Sequence, residues 1–422
     1  MLSTDVERRL EALLPQLMAD EPVVVLSGPR TVGKSTVLRQ LARRLDVTVL
    51  DLDDVGTRNL VAADLNTFVG GPSPVLIDEF QHVPTLLDTI KAELNRDTRP
   101  GRFVLTGSTR YETMPRTAQS LTGRVHVVTV WPMSQGEIAG HRETFVARLL
   151  AEFAAVAGPA PDATTREEYV ERILAGGLPA ALRRNPGRPR ERWYDDYVRL
   201  VVERDVLDIK GIRQSAKLPT LLARLASQTG QMLNVAHAAR ETGLTPSVAE
   251  DYTRLLESVF LVHRLPAWGT TLAARATKAP KVHLVDTGLG AFLMRLTADS
   301  LQRRVPAVLA EFGHLAETFV VNEVLKQLSW LDVLVQVGHY RTSDGDEVDL
   351  VLETAAGDVI AIAVKAGSTF RREDVRGLRH LRNRLGGRFR GGVLLSTNPM
   401  SATVDDRITV APIALLWGPP PG

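Results

Sequence analysis

The residues best suited to chemistry in this chain lie near its start, in the run Gly28-Pro-Arg-Thr-Val-Gly33-Lys34-Ser35-Thr36. Paired glycines followed at once by lysine and serine are the pattern of a phosphate-binding loop. Gly28 and Gly33 let the backbone turn tightly, so that N–H groups along Arg30, Thr31, Val32 and Gly33, and on to Thr36, point at the phosphate oxygens of a nucleotide. Lys34 brings positive charge to the β- and γ-phosphates, and the Ser35 hydroxyl is a ligand for Mg²⁺. Arg30 adds a side chain within reach of phosphate. The chain has eight lysines against 43 arginines, so a lysine at position 34 stands out from the arginine background.

A second group of residues extends the same chemistry. Pro74-Val-Leu-Ile-Asp78-Glu79 reads as an apolar strand ending in two carboxylates. Beside a phosphate loop, Asp78 is placed to hold the hydration shell of Mg²⁺ and Glu79 to polarise an attacking water. One strand later, Phe103-Val-Leu-Thr-Gly107-Ser108-Thr109-Arg110 offers a polar side chain at a strand tip. Ser108 is the first choice for sensing the γ-phosphate or positioning the water, and Thr109 the second. Charge that develops during phosphoryl transfer calls for a further cation, and Arg110, Arg116 and Arg124 all follow this strand. Arg124, in Ser120-Leu-Thr-Gly-Arg124, is the leading candidate for an arginine finger; a structural salt bridge is the alternative.

These residues need a scaffold of alternating strands and helices. Short apolar runs at 23–26, 47–51, 75–78, 103–106 and 125–130 alternate with helical stretches, which predicts an α/β unit with a largely parallel sheet. Directly after the loop, Val37 to Leu45 has the spacing of an amphipathic helix whose N-terminus favours anions. From about Gln135 to Val262 the chain reads as mostly helical. After Pro266 strands return, at 281–285, 350–352, 359–364 and 392–395, and predict a second α/β domain. The tail Trp417-Gly-Pro-Pro-Pro-Gly422 reads as frayed.

At 422 residues the chain is too long for one core, and three domains are expected, over 1–135, 136–268 and 269–422. No apolar run approaches the ~18 residues of a membrane span, and the N-terminus lacks the pattern of a secretory signal. With no cysteine, the chain has neither disulfides nor thiolate metal sites, and a cytoplasmic protein is expected. A net charge of +2 makes no general case for nucleic acid. Local arginine runs, Arg183, Arg184, Arg188, Arg190 and Arg192 and again Arg371 to Arg390, read either as solvated helix faces or as DNA contacts.

The four motifs together, with Leu-Ile-Asp78-Glu79-Phe-Gln-His-Val-Pro84 and Leu-Thr-Gly107-Ser108 among them, resemble the prokaryotic AAA-type P-loop ATPases that carry a C-terminal DUF4143 region. The resemblance continues through Ala175-Gly-Gly-Leu-Pro179, Tyr197 to Arg204-Asp205-Val, Lys281-Val-His-Leu-Val-Asp286-Thr-Gly-Leu289 and Glu317-Thr-Phe-Val-Val-Asn-Glu323. It implies ATP and Mg²⁺ as ligands. Arginine fingers in AAA proteins usually act across a subunit interface, which points to an oligomer, with Arg124 acting in cis as the alternative.

In the middle region, Asn234 to Leu256 reads as helix, Gly-containing turn, helix, followed by a wing-like strand at 259–262. Thr245 to Arg254 is the recognition-type helix, although Glu250 and Asp251 oppose phosphate approach. A DNA-reading unit and a plain packing module both fit. Farther on, Tyr340 to Glu353 and Val359 to Ala366 are similar to the core of restriction-endonuclease-like folds, which place an Asp and a Glu on adjacent strands with a Lys two residues after the Glu. Asp349 and Lys365 match that layout, and Glu317 or Glu323 offers another carboxylate. Position 363, where a Glu is expected, is Ala. Losing one charged ligand leaves a hard cation short of oxygens, although Asp346 and Glu347 are nearby, so a vestigial nuclease site is expected; a cross-strand salt bridge is the alternative for Asp349 and Lys365. The functional expectation is a nucleotide-driven switch acting on an unknown protein partner. The alternatives are an ATP-dependent nuclease and a DNA-binding regulator.

Overall fold

A computed structural model describes residues 6–108, 121, 123–153, 163–202, 214–271, 275 and 278–418. The N-terminal sheet contains β1 (Val23–Ser27), β2 (Val49–Asp51), β3 (Val75–Asp78), β4 (Phe103–Gly107) and β5 (Val125–Thr129), in the order β2-β3-β4-β1-β5. All its pairings are parallel. β1 is buried along its whole length, as a valine-rich strand covered on both faces must be. Helices α1 (Leu10–Asp20) and α2 (Lys34–Leu45) pack against this sheet, and α2 buries Val37, Leu38, Leu41 and Ala42. Parallel strands bring every C-terminal tip to one edge of the sheet, where loops can converge on a ligand.

The middle region is mostly helical, with α3 (Gln135–Ala139), α4 (Arg188–Leu200), α5 (Val235–Thr242) and α6 (Pro246–Ser258) among its helices. The helices α5 and α6 and the turn between them have local causes. The Asn234 side chain accepts from the His237 N–H to start α5, Gly243 ends it at φ +63°, and Thr245 caps α6 ahead of Pro246. A three-stranded antiparallel sheet, ordered β6-β8-β7, completes the unit from β6 (Gln231–Met232), β7 (Val262–Leu265) and β8 (Lys281–Leu284). The sequence assigns β8 to the C-terminal domain, but His283 pairs with His263 of β7, so the middle unit runs past residue 268. A short apolar strand does not reveal its partners in its own sequence.

The C-terminal unit opens with the long helix α7 (Pro306–Ser329) and continues through β9 (Val335–Arg341), β10 (Glu347–Thr354), β11 (Val359–Lys365), helix α8 (Arg376–Leu385) and β12 (Phe389–Ser396) to β13 (Ala402–Asp405) and β14 (Ile408–Pro412). Its sheet has the order β13-β14-β12-β11-β10-β9; β9, β10 and β11 form an antiparallel meander, and β12 joins β11 in parallel. The sequence does not signal β9, which is interrupted by Gly338. That glycine is required by a close crossing, since a Cβ there would lie 2.7 Å from the Pro266 carbonyl oxygen.

Candidate functional site

The loop between β1 and α2 is held in shape by contacts that tolerate no change of residue at two points. A Cβ on Gly28 would lie 2.3 Å from the Val130 carbonyl oxygen, and Gly33 adopts φ +103°, a left-handed conformation suited to glycine. Lys34 is buried, and its Nζ donates to the carbonyls of Gly28 (3.0 Å) and Pro29 (2.9 Å), so the ammonium lies across the loop. Ser35 and Thr36 follow in the first turn of α2, which contains neither an acidic residue nor a capping side chain. Its leading N–H groups are therefore suited to an anion. Arg30 and Thr31 lie on the more open side of the loop, while Val32 is buried.

Arg8 supports this loop, and the motif gives no sign of it. The guanidinium is 7% exposed and donates to the Val32 carbonyl (2.7 Å), the Trp131 carbonyl (2.7 Å) and Glu137 Oε1 (3.0 Å). Glu137 in turn closes a capping box with Ser134 at the start of α3. Arg8 thus joins the loop to the segment that leaves the sheet.

Asp78 and Glu79 emerge at the same sheet edge, next to β4. The Thr106 hydroxyl donates to Asp78 Oδ1 and accepts from the Glu79 N–H at 3.2 Å, which fixes the two acidic residues against the neighbouring strand. Glu79 takes φ +52°, turning the chain sharply after β3. Gln81 Nε2 donates to Glu79 Oε2 and, at 3.2 Å, to Ser108 Oγ. Glu79 and Ser108 are therefore bridged by one amide. Thr106 and Gln81 occur within the motifs, but their roles arise from the adjacency of β3 and β4.

Arg124 lies at the other end of the sheet. Val125 pairs with Val23 at the start of β1, about 13 Å of strand away from the loop, and Arg124 Nη1 donates to Asn95 Oδ1 at 2.7 Å. The expectation that Arg124 meets the nucleotide is not met within one chain, because the parallel register sends the residue before β5 to the opposite edge. Thr109, Arg110 and Arg116 lie outside the described residues.

A second polar cluster lies where the middle and C-terminal units meet. Lys281 Nζ, fully buried, is 2.6 Å from Glu317 Oε1, 2.5 Å from Glu347 Oε1 and 3.0 Å from Asp349 Oδ1. Burial works against its charge, but Asp349, Glu317 and Glu347 more than offset this and hold the ammonium above the ordinary lysine range. Burial, reinforced by Asp349, pushes the Glu317 carboxyl well up despite Lys281. Asp349 Oδ2 also accepts from the Val364 N–H at 2.8 Å, which ties its carboxylate to the neighbouring strand β11.

The structure thus brings Glu317 and Asp349 together and keeps Glu323 and Lys365 away from them. Lys365 turns toward Asp374 (3.6 Å), a nearby acid, while Lys281 already occupies the carboxylates. Glu323, six residues along α7 from Glu317, is fully buried; it accepts from the Gln135 N–H (2.9 Å) and from Lys326 (2.6 Å). Lys326 also donates to the Met133 carbonyl (3.0 Å), so α7 is fixed to the start of α3. Asp346, the other carboxylate near position 363, binds Arg376 and His380 instead.

On the middle unit, α6 turns Ser247, Asp251 and Arg254 outward, and Glu250 binds both Arg254 (3.1 Å) and Arg264 (2.9 Å). The chain leaving β7 packs on β9: the Trp268 N–H donates to the His339 carbonyl at 2.6 Å, and its indole is buried. In the Arg371 to Arg390 run, Arg376, Arg379, Arg382, Arg388 and Arg390 form ion pairs with acids of the same unit, as a folded surface requires. Arg183, Arg184, Arg188 and Arg192 remain exposed, with Arg184 over the Trp193 ring.

Residues 20–139 match the AAA domain family, and residues 166–300 and 312–416 match two domains of unknown function, DUF8612 and DUF4143. The chain therefore carries an AAA-type P-loop ATPase domain and a distinct C-terminal DUF4143 domain. An uncharacterized protein of Mycobacterium tuberculosis, Rv2008c, is 27% identical over 367 residues, which cover 86% of this chain and 75% of the relative. Its Mycobacterium bovis counterpart, Mb2031c, matches with the same identity and coverage. Among solved structures, the Walker-type ATPase PABY2304 of Pyrococcus abyssi aligns at 16% identity with a TM-score of 0.43, covering 68% of this chain and 96% of its own. The RuvB Holliday junction branch migration motor of Thermotoga maritima aligns at 15% identity with a TM-score of 0.29, covering 63% of this chain and 90% of its own.

Proposed function

We propose that this protein is a Mg²⁺-dependent ATPase whose nucleotide cycle moves the attached domains and so acts as a switch on a macromolecular partner. The observation that carries the reading is the convergence of Lys34, Asp78, Glu79 and Ser108 at one edge of a parallel sheet. The Ser35 hydroxyl and the Asp78 carboxylate are the hard oxygen donors that would hold Mg²⁺, which supplies charge neutralisation for phosphoryl transfer. Lys34 exchanges the Gly28 and Pro29 carbonyls for phosphate oxygens. Glu79 accepts the proton of the attacking water, and Ser108 orients that water through the shared Gln81 amide. Arg124 serves a neighbouring subunit, since its own loop lies at the far sheet edge.

The route outward runs from Val32 through Arg8 and Glu137 to α3, and from Gln135 through Glu323 into α7. Phosphate release measured with and without Mg²⁺ tests the reading. Mg²⁺-dependent turnover that Glu79→Gln suppresses is expected; turnover unaffected by that change would refute it.

One observation favours a second reading for the C-terminal unit. The succession α7, β9, β10, β11, α8, β12 is compatible with the helix–meander–helix–strand order of a restriction-endonuclease-like core, and the exposed arginines near α4 offer a surface for DNA. Incubation with linear and plasmid DNA in Mn²⁺ separates the two: the switch reading expects no cleavage, and cleavage abolished by Asp349→Asn would establish the nuclease.

A further inference from the structure

A restriction-endonuclease-like site would hold a divalent cation at Asp349, and the residues present do not suit one. The Lys281 ammonium donates to Glu317 on α7 and to Asp349 on β10, and it is ion-paired with Glu347 of β10 as well. A divalent ion bound by the same oxygens would lie about 2.0–2.6 Å from each, in the volume that Nζ fills. On the neighbouring strand β11, Ala363 has no side-chain oxygen to give, and Lys365 faces Asp374. Arg341, 3.5 Å from Glu347 Oε2, brings a second positive charge to the rim.

Lys281 also comes from a different unit than its partners. It opens β8, paired with β7 in the middle sheet, whereas all three carboxylates belong to the C-terminal unit. We propose that Lys281 is the resident cation of this cluster: its ammonium excludes a divalent metal and fastens the middle unit to the C-terminal sheet, making the cluster a joint between domains. The inference is independent of whether the N-terminal domain hydrolyses ATP.

Removing the ammonium leaves three carboxylates facing one another with room for an ion between them. The full chain and its Lys281→Ala variant are compared by Mn²⁺ titration, followed through the electron paramagnetic resonance of the free ion, and by thermal melting. Adding Asp349→Asn to each identifies binding at this cluster. The parent is expected to show no Mn²⁺ binding that Asp349→Asn removes. Lys281→Ala is expected to melt roughly 5–10 °C lower, to gain Mn²⁺ binding that Asp349→Asn removes, and to recover part of its melting temperature in Mn²⁺. Asp349-dependent Mn²⁺ binding in the parent overturns the proposal, as does a Lys281→Ala variant that melts like the parent and takes up no Mn²⁺. If Lys281→Ala is insoluble, combining Lys281→Met with Glu317→Gln, Glu347→Gln and Asp349→Asn removes the repulsion. That neutral set is expected to recover soluble, folded protein, and its failure to do so also overturns the proposal.

Discussion

Gly28 and Lys34 occupy one loop but fail in different ways when changed. A Cβ at position 28 meets a backbone carbonyl, so Gly28→Ala displaces the loop itself and is expected to lower stability by about 1–3 kcal/mol along with nucleotide affinity. Lys34→Ala removes a charge and two hydrogen bonds to loop carbonyls, so affinity is expected to fall much more than stability. Glu79→Gln keeps the size of the side chain and is expected to bind ATP while losing about 10²–10⁴ in turnover, checked by comparing calorimetric affinity with phosphate release. Loss of both together would place Glu79 in binding instead. The residues in these arguments are legible in the sequence because their spacing along the chain is local. Thr106 and Gln81 acquire partners only when β3 and β4 lie side by side, and Arg8 only when residues 131–137 fold back beside the N-terminus.

At the level of elements, β8, β9 and α7 meet around a group of buried polar side chains. His339 on β9 donates from Nε2 to the Ala279 carbonyl and faces Lys281, Glu347 and Asp349; burial, helped by Lys281, lowers its pKa to about 4. His283 on β8 is shifted the same way by burial and by His263. A histidine in the unfolded chain takes up a proton near pH 6.5, while His339 in the fold does not do so until about pH 4. Its contribution to stability is therefore complete above about pH 6.5 and declines as the pH falls toward 4. Melting temperatures should fall across that window, and His339→Asn should flatten the decline; an unchanged slope would contradict the assignment. The strands at 350–352, 359–364 and 392–395 are legible from their apolar runs. β9 is not, because its Gly338 answers to a crossing chain rather than to its own strand, and β8 is legible as a strand but not as a member of the middle sheet.

For the molecule as a whole, the sequence conveys an ATPase-type N-terminal unit, a helical middle and an α/β end, whereas how the units join is a matter of buried side chains. α7 supplies many of them: Thr318 and Asn322 to the middle sheet, Glu317 to Lys281, and Glu323 and Lys326 to residues 133–135. Lys326→Met leaves the Glu323 carboxylate without its ammonium and is expected to cost about 3–5 kcal/mol, with the N-terminal and C-terminal units separating into two transitions in denaturant. A single unshifted transition would show that the units do not depend on this contact. Everything proposed for motion between the units rests on a nucleotide entering the loop between β1 and α2. Isothermal titration of the full chain and of Lys34→Ala with ATP and Mg²⁺ tests this most directly. Saturable binding by the parent that Lys34→Ala abolishes or greatly weakens is the result this account predicts. Absence of binding by the parent, or equal affinity in the variant, would contradict it.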